Sequence, residues 1–117
     1  MTCFQRTVMT NTPDSGFIKN GTHHFPVRIY YESTDAVGVT YYAEYLRFAE
    51  RARTEFLRLC GIDQIRLSQD QNCSFVVRHA ALDYVRASKL DDSLMVETTL
   101  EKIEGVRLHM RQDIKKN

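Results

Sequence analysis

From Phe25 onward the chain alternates, with Val27, Ile29 and Tyr31 on one side and Arg28, Tyr30 and Glu32 on the other. That period of two predicts a strand over 25–32 with one face covered. Pro26 suits the first residues of a strand, where a missing N–H is tolerated. After the connector STDAVGVTYY the period changes. Tyr41, Tyr45, Phe48, Ala49, Ala52, Phe56 and Leu59 fall on one stripe at about 100° per residue, which predicts a helix over 41–59. Tyr42, Leu46 and Leu57 widen the stripe, while Glu44, Arg47, Arg51, Glu55 and Arg58 fill the opposite side. So wide an apolar arc predicts a helix embraced by the rest of the fold rather than laid on its surface. Arg51 and Glu55 have the (i, i+4) spacing of a helix ion pair. Arg53 projects from within the arc, and a buried guanidinium needs a partner: a carboxylate, a backbone carbonyl or a subunit boundary. Gly61 stands where a left-handed C-terminal cap is wanted.

Residues 62–71 read as a short helical turn and loop. Residues 73–87 then read as one long strand. Phe75, Val77, His79, Ala81, Asp83 and Val85 share one face; Val76, Arg78, Ala80, Leu82, Tyr84 and Arg86 share the other. Neither face is purely apolar, which suits a strand that also lines a site or an interface. SKLDDS is a turn, 94–103 is a further strand, and Glu104-Gly105 makes a tight turn. Val106, Leu108, Met110, Gln112 and Ile114 then alternate with Arg107, His109, Arg111 and Asp113, predicting a half-buried last strand. The closing Lys115-Lys116-Asn117 reads as the start of a turn. Upstream, TNTPDSG and KNGTHH lack sustained periodicity, so residues 1–24 are expected to be a poorly ordered tail. The domain is expected over 25–117. Phe4, Val8 and Met9 are isolated apolar positions in the tail, and there is no internal repeat.

Composition narrows the class. A chain of 117 residues is one domain. With 16 Lys and Arg against 15 Asp and Glu the net charge is +1, which argues against a nucleic-acid binder. No apolar run approaches the roughly 20 residues of a membrane span. Cys3, Cys60 and Cys73 are odd in number and lack C-x-x-C spacing, so neither a disulfide framework nor a cysteine-rich metal site is expected. His23 and His24 are adjacent but have no further ligands near them in sequence. The N-terminus lacks the pattern of a secretory signal, and the expected location is the cytoplasm.

The stretch YESTDAVGVTYYAEY carries the chemistry. Asp35 stands shortly before the helix, where an acidic residue serves as a cap or as a reacting carboxylate. The N-terminus of an embraced helix presents free N–H groups and a positive dipole end, an arrangement that holds an oxyanion. A carboxylate just upstream is placed to act as base or nucleophile on a carbonyl bound there. Gly38 lets the backbone approach a ligand. His79 and His109 are each isolated on predicted strands. Glu50 lies opposite the stripe's centre and is a weaker catalytic candidate than Asp35.

RIYYESTDAVGVTYYAEYLRFAERARTEFLRLCGI resembles the signature of hotdog-fold acyl-CoA thioesterases, above all the 4-hydroxybenzoyl-CoA thioesterase-like branch associated with the Tol–Pal envelope system. The resemblance continues through SFVVRHAALDYVRASKLDDSLMVET and covers about residues 26–114. Its core is Y-x-x-T-D-x-x-G-V-x-Y followed by the E-R-A-R-T-E helix. The resemblance implies an α+β hotdog fold, a curved antiparallel sheet wrapped around one long helix, with strand order 1-3-4-5-2. It implies a homodimer or homotetramer with the active site at the dimer interface, and neither metal nor organic cofactor. Asp35 matches the catalytic carboxylate, which attacks the thioester or activates a water. Tyr42 matches the position whose backbone N–H polarises the carbonyl oxygen, with Gly38 and Val39 shaping the turn. Arg78, Arg86 and Lys89 are candidates for the coenzyme A nucleotide. An acyl carrier protein and Tol–Pal envelope proteins are candidate partners.

Two departures stand out. Members near this branch often carry His where this chain has Tyr42. Family members also continue for another strand beyond the position of Asn117, so the domain is expected to be C-terminally incomplete, with strands near 73–87 and 107–114 lacking a neighbour. The reading is an acyl-CoA thioesterase acting on short-chain or aromatic acyl-CoA. The alternative is an inactive truncated remnant or a module that binds acyl-CoA or acyl carrier protein; a structural partner of an envelope complex is a further rival.

Overall fold

The computed structural model describes residues 13–117; Cys3, Phe4, Val8 and Met9 lie outside the described residues. Two short-range signals start the sheet. Strands β1 (Phe17–Lys19) and β2 (Thr22–Arg28) pair antiparallel across a two-residue turn, with Lys19 opposite Thr22. The turn is Asn20-Gly21, with φ of 52° and 75°. Positive φ at both central residues matches the twist of the flanking strands, and Asn-Gly is the pair that accepts it most readily. This corrects the predicted strand at 25–32. The strand begins upstream, at Thr22, and ends at Arg28, and Tyr31–Ser33 form a single 3-10 turn.

The sheet continues β1-β2-β3-β4, every pair antiparallel, with β3 over Ser93–Glu104 and β4 over Arg107–Lys116. Register places Phe25 opposite Val96, Val27 opposite Leu94 and Val96 opposite Ile114. These residues share one face, and that face is covered by helix α1 (Glu44–Leu59). Val27, Ile29, Leu94 and Val96 pack with Phe48 and Ala52 into the core. The predicted stripe thus docks as its spacing demands, though its two ends, Tyr41 and Leu59, are exposed. Helix α1 stops at a Schellman cap: Gly61, at φ 84°, donates to the Arg58 carbonyl and Ile62 donates to that of Leu57. Arg51 does not pair with Glu55. It lies over the Phe48 ring, and Glu55 instead accepts from Arg58 and from the Ser15 hydroxyl. Arg53 is paired by Glu50 and donates to Gln112 of β4 at 2.8 Å.

Helix α2 (Gln64–Gln71) replaces the predicted turn, capped by Asp63, whose side chain accepts from Ile65 and Arg66 N–H. In β3 and β4 the alternation holds as far as a bulge between Leu100 and Lys102. Beyond it the hairpin leaves the core, and Ile103, Val106 and Leu108 are exposed. Strand β4 runs on to Lys116, through residues read as the start of a turn.

Residues 73–87 correct the largest expectation. The alternating pattern is there, but no strand forms, and every residue of the stretch is exposed. A strand exists only against a neighbour, because its N–H and C=O groups must be satisfied laterally. Among the described residues, neither this stretch nor the outer edge of β4 has a partner strand. The observed β2-β3-β4 order corresponds to 1-3-4 of the implied 1-3-4-5-2.

Candidate functional site

The loop leading into α1 is built by its own polar atoms. Asp35 Oδ1 accepts from Val37 N–H at 3.0 Å and Val39 N–H at 3.3 Å. Its backbone closes the same loop, the N–H donating to Val39 O at 2.8 Å and the carbonyl accepting from Gly38 N–H at 3.1 Å. This tight turn requires φ of 85° at Gly38, a region from which a Cβ is sterically disfavoured. A bridge between Thr34 and Thr40 pinches the loop's neck. Asp35 is exposed, and its second oxygen, Oδ2, has no partner among the described residues.

The amides from Val37 to Tyr41 are tied down one by one. Val39 N–H goes to Asp35, Thr40 N–H to Ser88 O at 2.7 Å and Tyr41 N–H to Ser33 O at 2.8 Å. Tyr42 N–H comes next, and it has no acceptor among the described residues. The helix follows at once, with Glu44 N–H donating to Tyr41 O. A fixed, unengaged amide at the positive end of a sixteen-residue helix is a ready donor to a developing oxyanion.

The far side of the site comes from the turn before β3. Ser88 and Lys89 are brought to the loop by the Thr40 bond and by a bridge between Val39 and Lys89. The turn is held by Asp92, which accepts from Lys89 N–H at 2.9 Å and pairs with Lys116 at 3.3 Å. The Lys89 amide, and then Lys116, hold the Asp92 carboxyl below its ordinary range. Between loop and turn lies a groove of about 220 Å³, lined by Thr40, Tyr42, Tyr45, Tyr84, Val85, Arg86 and Ala87. Its aromatic wall is continuous: ring centroids lie 6.1 Å apart for Tyr42–Tyr84 and 5.9 Å for Tyr45–Tyr84. Tyr41 packs on Tyr42 at 4.8 Å, and the neighbouring Tyr42 phenol raises the Tyr41 phenol above its ordinary pKa. A larger hollow of about 400 Å³ on the sheet's outer face, among Glu97, Glu101, Arg111 and Asp113, lies away from this loop.

Asp35, Gly38, Val39 and Tyr42 thus fall in one loop, with Lys89 bridged to it and Arg86 lining the groove. Arg78 is not brought there; it lies on the exposed 73–87 stretch. Glu50, the weaker carboxylate candidate, is occupied by Arg53. His109 pairs with Glu104 at the hairpin's far end. Sequence reasoning missed Thr40, Tyr45, Ser88 and Tyr84. Tyr45 was hidden in the apolar stripe, and Ser88 in a turn.

The chain is similar to several known proteins. The sequence model of the thioesterase superfamily matches residues 37–117. The acyl-CoA thioesterase YbgC of Haemophilus influenzae is 48% identical over 104 residues, which is 89% of this chain and 72% of that protein. The acyl-CoA thioester hydrolase YbgC of Escherichia coli is 43% identical over 77% of this chain, and the match spans 66% of its own length. Among solved structures, a probable thioesterase from Bartonella henselae superposes with a TM-score of 0.74 at 38% identity, covering 80% of this chain and 77% of that one. The 4-hydroxybenzoyl-CoA thioesterase of a Pseudomonas species has a TM-score of 0.77 at 18% identity, covering 81% and 70%. The last is a likeness of fold alone.

Proposed function

Because the chain belongs to the thioesterase superfamily and has its α+β hotdog fold, we propose that it hydrolyses acyl-CoA thioesters to a free acid and coenzyme A at the Asp35 loop. One observation carries this reading: Asp35 Oδ2 and the Tyr42 N–H both lack a partner among the described residues, while Asp35 Oδ1 and the N–H groups of Val37 to Tyr41 are bonded. The thioester carbonyl oxygen accepts from Tyr42 N–H, and the amide, backed by the helix dipole, stabilises the oxyanion as the carbonyl carbon becomes tetrahedral. Asp35 either attacks that carbon or takes the proton of an attacking water. Collapse of the intermediate breaks the carbon–sulfur bond and expels the coenzyme A thiolate. An anhydride formed by direct attack is then opened by water.

The aromatic groove receives the acyl or aroyl group; Arg86 and Lys89 face the coenzyme A portion, with Arg78 further out on the same stretch. The relatives' names support acyl-CoA as the substrate class. Assembly as a homodimer or homotetramer, partners such as an acyl carrier protein or Tol–Pal envelope proteins, and a cytoplasmic location in keeping with the free thiols of Cys60 and Cys73 complete the reading. Among the described residues no helix is long and apolar enough to cross a membrane.

A second reading, a module that binds acyl-CoA without turnover, is favoured by the bare 73–87 stretch and the open edge of β4. Thiol release from short aliphatic and aromatic acyl-CoAs, for wild type and Asp35→Asn side by side, separates the two. Release by wild type alone supports the enzyme. Equal release by both removes Asp35 from the chemistry. Acyl-CoA binding with no release by either supports the module.

A further inference from the structure

The hydroxyl of Tyr45 lies at the centre of a cluster that the reaction as derived does not use. Tyr45 is in the first turn of α1, with its ring edge-on to Phe48 at 6.1 Å. Its oxygen accepts from Ser88 N–H at 3.1 Å and lies 2.8 Å from Ser88 Oγ. Ser88 Oγ is in turn 2.6 Å from Thr40 Oγ1, and Ser88 O accepts from Thr40 N–H at 2.7 Å. Thr40 and Ser88 are both buried. Each polar atom of Ser88 is therefore spent on Tyr45 or Thr40, and two of its four bonds to them are between side chains.

A packing role alone needs only the ring, and phenylalanine supplies that. The hydroxyl has a different effect. Thr40 lies two residues before the free Tyr42 amide, and among the described residues its hydrogen bonds from outside the loop come from Ser88. Ser88 is fixed by Tyr45, which stands one turn into the helix that the amide begins. The three side chains thus tie the helix start to the turn before β3 and set the direction of the Tyr42 N–H.

We propose that Tyr45, acting through Ser88 and Thr40, is a positioning residue that aims the Tyr42 amide at the thioester oxygen. This rests on the thioesterase reading above. Such a residue acts on the transition state more than on binding, because an oxyanion donor gains most when charge develops. Misplacement of a reacting group by about 1 Å costs up to about a hundredfold in rate.

The test compares wild type, Asp35→Asn, Tyr45→Phe, Thr40→Val and Thr40→Ser, each from the full chain, in steady-state thioester hydrolysis and thermal melting. The expected result for Tyr45→Phe and Thr40→Val is a loss of about tenfold in kcat with KM within about twofold, measured well below each variant's melting temperature. Thr40→Ser, which keeps the hydroxyl, restores kcat. Lowered melting temperatures with kcat unchanged in Tyr45→Phe and Thr40→Val make the cluster purely structural and overturn the proposal. A matched loss in Thr40→Val and Thr40→Ser also overturns it. If Asp35→Asn is as active as wild type, the chemistry is not at the Asp35 loop, and if wild type is inactive, the thioesterase reading falls; either outcome takes the positioning role with it. If Asp35→Asn alone is impaired, that reading stands and only the positioning role is lost.

Discussion

The side-chain carbonyl of Gln112 accepts from Arg53 at 2.8 Å, joining the middle of β4 to the middle of α1 within their interface. The Gln112 amide group donates to Ala49 O at 2.9 Å and to Thr98 Oγ1 at 3.0 Å. Thr98 is fully buried, so the glutamine satisfies groups that water does not reach. Gln112→Ala leaves them unpaired at a cost of about 1–3 kcal/mol. The expected fall in melting temperature is about 5–15 °C for a domain of this size. A melting curve superposable on that of wild type would show that the network is not formed in solution.

The proposed mechanism gives Asp35 two separable jobs. Oδ1 holds the loop through Val37 and Val39, and an asparagine oxygen can do the same. Asp35→Asn is expected to melt near wild type while hydrolysis falls by about 10²–10⁴. Asp35→Ala is expected to lose both activity and loop order, read as faster amide exchange at Val37 and Val39. Equal exchange in the two variants would contradict this division.

Gly38 tests the loop's backbone. No atom lies within 4 Å of an added Cβ, so the effect of Gly38→Ala comes from φ of 85° alone. Forcing alanine there costs roughly 1–2 kcal/mol. The variant is expected to melt a few degrees lower and to lose most of its kcat. Wild-type kinetics in this variant would mean that the loop adopts a different turn in solution.

Asp92 makes a definite prediction about pH. Its carboxyl is held below the ordinary value by the Lys89 amide and by Lys116. A lowered folded-state pKa means that stabilisation is in full force above the unfolded value of about 3.9 and is lost as pH falls through the folded one. Wild type should therefore lose melting temperature more steeply than Asp92→Asn on going from about pH 5 to pH 3. At neutral pH the variant should be the less stable. Parallel pH profiles would remove Asp92 from the account.

The bare stretch at 73–87 offers a protease an unpaired backbone. Limited trypsin digestion is expected to cut first after Arg78 or Arg86, ahead of Arg53 in α1 or Arg111 in β4, with mass spectrometry of the first fragments as the readout. First cleavage within β4 would place the weak point elsewhere.

What was legible in the sequence was local. The helix followed from the spacing of Phe48, Ala52 and Phe56, and the Schellman cap from Gly61. Asp35 and Gly38 stood out from their place just before the helix, whereas Tyr42 was singled out only by the family resemblance. The β1–β2 hairpin was also local, but Thr22, His23 and His24 carry no apolar alternation. His23 is nonetheless fully buried, stacked on Phe56 with its Nε2–H donating to the Ser15 carbonyl at 2.7 Å. Residues 73–87 show the opposite failure. Their alternation is a statement about faces, and it says nothing about whether a neighbouring strand is present. Tyr45 and Ser88 were unreadable for a third reason: a tyrosine on an apolar stripe looks the same whether its hydroxyl is idle or bonded to a residue distant in sequence.

That distance has a kinetic side. Thr40 and Ser88 are 48 positions apart, and closing a flexible loop of that length costs about 3.4 kcal/mol of chain entropy beyond the constant of initiation. The whole of α1 and α2 lies inside this loop. The Asp35 turn can form early, from its own atoms, but the groove beside it has no second wall until the loop closes. On the proposed reading, an acyl thioester in the groove favours the closed chain over the open one, and so raises the stability of the fold by mass action. On that reading the ligand and the closing of the chain each complete a cavity that the Asp35 turn by itself leaves half built.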